Sequence, residues 1–252
     1  MTENIELTQE VEQDIEVEFA PRPKEVLSTP HKNDHKNGTR LESQQWAHEE
    51  ILKLVQQTFL LQAQKVPRTV LFAGLDRGTS CSQICLLVAD TLKRIVSGSV
   101  CLVEADFRSP SLTALLGTTN HHGLADSLLK DGPIRSFAKP LDAGHVWLLS
   151  CGLLDRDSPD LLNANRIKSR FAELRNEFEY VIVNAPSLSH YADATALGRL
   201  TDGLVLVLEA NSTRKDKALK IMKKLQAAQI PVLGAILNNR SFPIPSWLYH
   251  RL

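Results

Sequence analysis

The sequence predicts a doubly wound α/β fold, with a mostly parallel sheet and helices on both faces. Three observations carry this. Six apolar runs of strand length recur along the chain, each continuous rather than alternating, as in strands buried on both faces. Stretches of helical periodicity fall between them. The first run leads through a short polar turn into an amphipathic helix, the rhythm of a phosphate-binding site. Folds of this class bind ligands beyond the carboxyl ends of their strands.

Composition bounds the possibilities. The chain has 252 residues, enough for one α/β domain with appendages. Its 29 basic and 29 acidic residues cancel, which argues against a general nucleic-acid binder. Cys81, Cys85, Cys101 and Cys151 sit in or beside apolar runs without CxxC spacing. They read as reduced core thiols of a cytosolic protein. The acidic opening "MTENIELTQEVEQDIEVE" is no secretory signal, and no run approaches the roughly 20 apolar residues of a membrane helix.

Taken in order, residues 1–43 are acidic, then rich in Pro, His, Lys and Asn, and read as a disordered tail. The folded domain is expected over 44–240. It opens on the helix "SQQWAHEEILKLVQQTFLLQ", with Trp46, Ile51, Leu54, Val55 and Phe59 near one face. Strands are expected at Thr69–Gly74, Ser99–Ala105, His145–Ser150, Tyr180–Ala185, Gly203–Glu209 and Pro231–Asn238. "LLNANRIKSRFAELRNEFE" follows Ser158-Pro159, an N-cap with proline at the first helical position. "STRKDKALKIMKKLQAAQ" is a helix opening at Ser212 or Thr213, with Ala218, Ile221, Met222, Leu225 and Ala228 on one stripe. Its lysines read as a solvated face. His121-His122 reads as a surface loop rather than a metal site. Residues 241–252 form a Pro-broken tail.

The candidate site residues stand just after the strands. Arg77-Gly78-Thr79-Ser80-Cys81-Ser82 follows the first, where a phosphate loop would read Gly-x-Gly-Lys-Ser. Glu104, Asp106 and Arg108 follow the second, Asn184 and Pro186 the fourth, and Asn238 the last. A thiol cannot replace the fixed cation of a phosphate-loop lysine. Backbone amides from Gly78 to Ser82 could still cradle a phosphate at the helix N-terminus.

In motif order, the stretch from about Ala47 to Arg240 resembles the cytosolic domain of BY-kinases. These are bacterial tyrosine kinases of capsule and exopolysaccharide operons, built on a MinD/ParA-like P-loop core. Ser80-Cys81-Ser82 stands at the family's Gly-Lys-Ser/Thr, and Glu104-Ala105-Asp106-Phe107-Arg108 at its Asp-x-Asp-x-Arg. "HHGLADSLL" is similar to its Gly-Leu-Ser-Asp-x-Leu segment, and Asn184-Ala185-Pro186 to the Asp-x-Pro that ends Walker B. "GAILNNR" is similar to a Gly-Val-Val-Leu-Asn segment whose asparagine touches adenine.

The resemblance implies a P-loop NTPase fold and a set of roles. Arg77, Gly78, Thr79, Ser80, Cys81, Ser82, Gln83 and Asn238 would hold ATP or ADP. Ser82 and Asp106 would hold Mg²⁺. Glu104, Asp106, Arg108 and Asn184 would form a degenerate catalytic set. With the lysine, one carboxylate and the length of another changed, nucleotide and Mg²⁺ are expected to bind weakly or not at all.

The family's C-terminal tyrosine cluster is reduced here to Tyr249 in "SWLYHRL". Its subunit-contact motif survives as Glu50-x-x-Lys53-x-x-Gln56, which leaves homo-oligomer formation open. The expected function is a regulatory or scaffolding subunit of polysaccharide synthesis and export. It would be cytoplasmic, at the inner membrane through a membrane-bound chain-length partner. That partner would dock on the loop after Asp106, a helix over Ser109–Leu116, and the aromatic tail from Ser241. Two alternatives stand beside this: an active tyrosine kinase using Arg77 or Arg108, and a MinD/ParA-like positioning ATPase. Asp76, at the signature lysine of the positioning ATPases, counts against the last.

Overall fold

The computed structural model describes residues 17–18, 49–61, 66–119, 122–141, 144–152 and 164–239. Its strands are β1 (Val17–Glu18), β2 (Thr69–Gly74), β3 (Val100–Glu104), β4 (Lys139–Pro140), β5 (Val146–Leu149), β6 (Tyr180–Ala185), β7 (Gly203–Glu209) and β8 (Val232–Asn238). Its helices are α1 (49–55, described from residue 49 and closing in a π turn over Gln56–Leu60), α2 (Cys81–Ile95), α3 (Leu112–Leu115), α4 (Leu124–Leu129), α5 (Ala164–Glu177), α6 (Asp193–Gly198) and α7 (Lys215–Ala227). The strands form one sheet in the order β1-β8-β7-β2-β6-β3-β5-β4. Among the described residues only the β4–β5 pairing is antiparallel.

Alternation along each strand splits the interior into two layers. Val70, Phe72, Leu102, Ile182 and Val205 face α1 and α2, against Leu54, Phe59, Ile84, Val88 and Leu92. Leu71, Ala73, Val103, Val183 and Leu206 face the other way, against Phe171, Leu174, Leu197 and Leu225 of α5, α6 and α7. All six residues of β2 are buried, as are all six of β6. This explains the continuous apolar runs: helices cover both faces of the sheet, so no position of these strands tolerates a solvated side chain. Tyr180 opens β6 and meets Phe59 edge-on, ring centroids 5.7 Å apart, as expected for the start of a buried strand.

The strand order creates the ligand crevice. From β2 the chain crosses through α2 to β3, passing β6; from β6 it crosses through α6 to β7, on the other side of β2. These two connections thus leave the centre in opposite directions, and a crevice opens beyond the carboxyl ends of β2 and β6.

The expected fold class holds, and β2, β6 and β7 carry the expected bounds. Two helices need correction. The last one starts at Lys215 rather than Ser212 or Thr213. The Thr213 hydroxyl accepts the Glu209 N–H at 2.9 Å and so closes the turn after β7 instead of capping a helix. The helix expected over Ser109–Leu116 shrinks to the four residues of α3, because the Ser111 and Leu112 N–H groups donate to Glu104. Of the first 43 residues only Val17–Glu18 are described, paired in parallel with Ile236 and Leu237. Trp46, His121, the Ser158-Pro159 cap and the 241–252 tail lie outside the described residues. His122 is exposed, as expected of a loop. Lys53 pairs with Glu50 at 2.6 Å within its own helix. Cys85, Cys101 and Cys151 are buried thiols. No described helix is long and apolar enough to cross a membrane.

Gly74 decides how closely β2 can run into the loop. A Cβ there would stand 2.1 Å from Thr79 Oγ1 and 2.8 Å from the Asp76 carbonyl oxygen. The backbone contact cannot be relieved by a rotamer change, so Gly74→Ala is expected to cost about 1–3 kcal/mol. Urea unfolding monitored by circular dichroism checks it.

Candidate functional site

A cavity of about 330 Å³ lies in the crevice. Its walls come from the loop after β2 (Asp76 to Ser82), the loop after β3 (Asp106, Ser109, Ser111) and the end of β6 (Asn184, Ala185, Ser187), with Tyr191 at one side.

The loop after β2 turns tightly into the next helix. Gly78 has φ 82° and Ser80 has φ 56°, so the chain turns twice through the left-handed region before α2 begins at Cys81. Turns of this kind point successive N–H groups into a hollow, and the helix N-terminus adds its own. Gly78 is suited to its φ; Ser80 adopts its own at a modest cost. Asn238 pins the loop from below by donating to the Thr79 carbonyl at 3.1 Å. It is buried and outside the cavity wall, so here it supports the loop.

The ends of β3 and β6 are joined by a polar cluster. Glu104 has no solvent exposure. Its Oε2 accepts the N–H groups of Ser111 and Leu112, each at 2.9 Å, and its Oε1 accepts Asp106 N–H at 3.3 Å and Asn184 Nδ2 at 2.7 Å. Burial pushes this carboxyl above the ordinary carboxylate range, while the Leu112 and Ser111 amides and Asn184 pull the other way. The Asn184 amide also donates to Ser82 Oγ at 3.0 Å, and Ser82 Oγ hydrogen-bonds Ser111 Oγ. Asp106 turns its own loop by accepting Arg108 N–H at 3.1 Å and Ser109 N–H at 3.0 Å through Oδ1.

The cations stand at the mouth. Arg77 lies over the Tyr191 ring at 5.3 Å and bonds the Tyr191 hydroxyl; Arg108 lies over the same ring at 4.5 Å. Arg108 also pairs with Asp193 at 3.2 Å. The structure therefore brings Arg77, Gly78, Thr79, Ser80, Cys81, Ser82, Asp106 and Asn184 to one cavity. Glu104, Gln83, Arg108 and Asn238 fall outside its wall. Sequence reading missed Tyr191, Ser187, Ser109 and Ser111. "SPS" and "SLSHY" directly after two strand ends were the signal available for them.

Lys217 was missed as well. It belongs to the basic stripe of α7 read as a solvated face, yet its Nζ bonds Asp76. Asp76 also accepts the Ser189 hydroxyl at 2.5 Å.

The chain is similar in sequence and fold to known bacterial proteins. No family model matches the chain. Over 167 residues it is 27% identical to the tyrosine-protein kinase YwqD of Bacillus subtilis, covering 66% of this chain and 68% of that one. Over 141 residues it is 27% identical to the succinoglycan biosynthesis transport protein ExoP of Rhizobium meliloti, covering 55% of this chain but 18% of that longer protein. The homologues of this chain are BY-kinases. Among solved structures, the kinase domain of the Escherichia coli tyrosine kinase ETK superimposes with a TM-score of 0.70 at 16% identity, covering 94% of this chain and 96% of that domain. The septum site-determining protein MinD of Pyrococcus horikoshii, complexed with Mg-ADP, gives 0.59 at 19% identity, covering 73% and 76%. The fold is thus the P-loop fold shared by BY-kinase domains and MinD/ParA ATPases.

Cys81 places a thiol at the head of α2. Asn184 places an amide at the end of β6; these are two of the positions where the sequence resemblance implied departures from the family pattern. Both face the same cavity, so the two departures fall on one centre.

The Asp76–Lys217 contact gives the loop a pH dependence. Burial raises the Asp76 pKa, but hydrogen bonds from Lys217 and Ser189 outweigh it, and the net position is below the ordinary 3.8. A depressed carboxylate contributes stability above its ordinary pKa and loses it as pH falls through the folded value. The stability advantage of wild type over Asp76→Asn is therefore expected at neutral pH and to shrink below about pH 4. Thermal unfolding of both proteins across that range measures it.

Proposed function

We propose that this chain is a BY-kinase relative that keeps the binding fold and has lost the reaction centre. It acts as a regulatory or scaffolding subunit of exopolysaccharide or capsule synthesis and export, with weak or no kinase activity. The observation that carries this is the pairing of Cys81 and Asn184 at one cavity. Phosphoryl transfer rests on positioned positive charge, and removing a single preorganised donor costs roughly 100- to 1000-fold in rate. Here a fixed cation and a metal-binding carboxylate are replaced together, and the carboxylate of Glu104 is turned inward onto backbone amides.

The kinship with ExoP, a transport protein of succinoglycan biosynthesis, supports the pathway. Such a subunit works in the cytoplasm and reaches the inner membrane through a membrane-bound chain-length or export protein. The loop after Asp106 and α3 are the described part of the surface proposed for that docking. Weak retention of ATP or ADP fits the intact backbone cradle and Asn238 beneath it.

One observation favours a second reading. Arg77 and Arg108 share the Tyr191 ring at the cavity mouth, so two guanidiniums stand near where the lysine charge is missing. An active tyrosine kinase would use them. A positioning ATPase has less support, because position 76 carries a carboxylate engaged by Lys217.

Incubation with Mg-ATP followed by phosphopeptide mass spectrometry separates the first two readings. No phosphotyrosine is expected on this chain; stoichiometric phosphotyrosine on it would establish the active kinase.

Restoring the two charges should reverse the loss. A charge-assisted hydrogen bond contributes about 1.5–3 kcal/mol, so Cys81→Lys with Asn184→Asp is expected to tighten Mg-ATP at least ~10-fold. Calorimetric titration of both proteins is the measurement. Tight, Mg²⁺-dependent ATP binding by the unaltered chain contradicts the proposal.

A further inference from the structure

Mg²⁺ demands hard oxygen ligands in near-octahedral array, about 2.0–2.1 Å away. The fold relatives imply such an ion beside Ser82, Asp106 and the ends of β3 and β6. The donor set here does not fit it. All four hydrogen-bond contacts of the Glu104 carboxylate are made by N–H groups. Ser82 Oγ receives the Asn184 amide and is bonded to Ser111. Asp106 spends Oδ1 on two backbone amides of its own turn. Among the described residues no group of three or more His, Cys, Asp or Glu side chains is placed to hold a metal.

What stands among these oxygens is the Asn184 NH₂ group. It lies 2.7 Å from Glu104 Oε1 and 3.0 Å from Ser82 Oγ. Its orientation is over-determined. Turning the amide over would set its carbonyl oxygen against a carboxylate oxygen that already accepts an N–H. As placed, Oδ1 faces the Cys85 thiol, a weak donor, at 3.9 Å. We propose that the Asn184 amide is a built-in substitute for the divalent cation: its two N–H bonds join Glu104 to Ser82 as a metal ion would, and the site takes phosphate or nucleotide without metal. This deepens the reading above and rests on the cavity being the phosphate-loop site.

The substitution is neutral and covalent, which explains how the buried Glu104 remains solvated by protein groups alone. A second carboxylate at position 184 would face Glu104 across the same gap and create a demand for a cation. Asn184→Asp should therefore convert a metal-indifferent protein into a metal-dependent one.

The test is direct metal binding by the full-length chain. Mn²⁺, an oxygen-seeking stand-in for Mg²⁺, is titrated by paramagnetic resonance with and without ADP, and thermal unfolding is followed in EDTA and in millimolar Mg²⁺. Wild type is expected to take up no Mn²⁺ in either case and to melt at the same temperature in both buffers. Asn184→Asp is expected to melt lower in EDTA, to recover in Mg²⁺ as linkage to a bound ion requires, and to bind Mn²⁺ at least ~10-fold more tightly than wild type. Stoichiometric Mn²⁺ uptake by wild type that Asp106→Ala abolishes overturns the proposal. So does a folded Asn184→Asp protein that ignores Mg²⁺. If Asn184→Asp folds in neither buffer, the wild-type titration still decides. Phosphotyrosine is read separately by mass spectrometry, so a kinase that works and a site that rejects metal are distinguishable outcomes.

Discussion

A carboxylate without solvent contact sits at the end of β3, and four N–H groups converge on it. Much of the site's geometry follows from Glu104. Two of its partners, Ser111 and Leu112, draw the loop after Asp106 down over the sheet and leave only a short α3. The Asp106 amide holds the start of that loop, and the Asn184 amide ties β3 to β6 and passes the connection to Ser82 at the head of α2. An ionised group taken fully out of water is costly unless its lone pairs are satisfied. The surrounding backbone is committed to satisfying them.

That commitment sets binding apart from catalysis. The elements that shape the hollow at the head of α2 are backbone: two left-handed turns, the first turn of α2, and the Asn238 support under Thr79. They survive changes of side chain because they follow from loop conformation. The elements that stabilise developing charge in phosphoryl transfer are side chains, and the two that the proposal above turns on are the thiol of Cys81 and the amide of Asn184, both in the cavity wall. The guanidiniums of Arg77 and Arg108 are drawn to the Tyr191 ring, and Arg108 is shared with Asp193.

The sheet was legible in the sequence because every central strand is buried twice. A strand covered on both faces must be apolar at each position, so its run is continuous and its ends are sharp, as Thr69–Gly74 and Tyr180–Ala185 show. Helix starts were less legible. Ser212 and Thr213 carry the chemistry of a cap, but the Thr213 hydroxyl is recruited by the end of β7 instead. Lys217 shows the same limit. In sequence it is one lysine of a basic stripe, and only the packing of α7 beside the loop brings it to Asp76.

By itself the sequence determined the layer architecture, the bounds of β2, β6 and β7, and the motif order that resembles BY-kinases. Those rest on local periodicity and residue identity, which are carried within a few positions of the chain. The tertiary structure alone decided which of these residues meet. Glu104, Asn184 and Ser82 are 80 and 102 residues apart from their partners along the chain. Parallel pairing of β3 with β6, in a register that sets Glu104 beside Asn184, is what makes them one hydrogen-bonded group. Register between distant strands depends on how whole layers pack, and no local pattern encodes it.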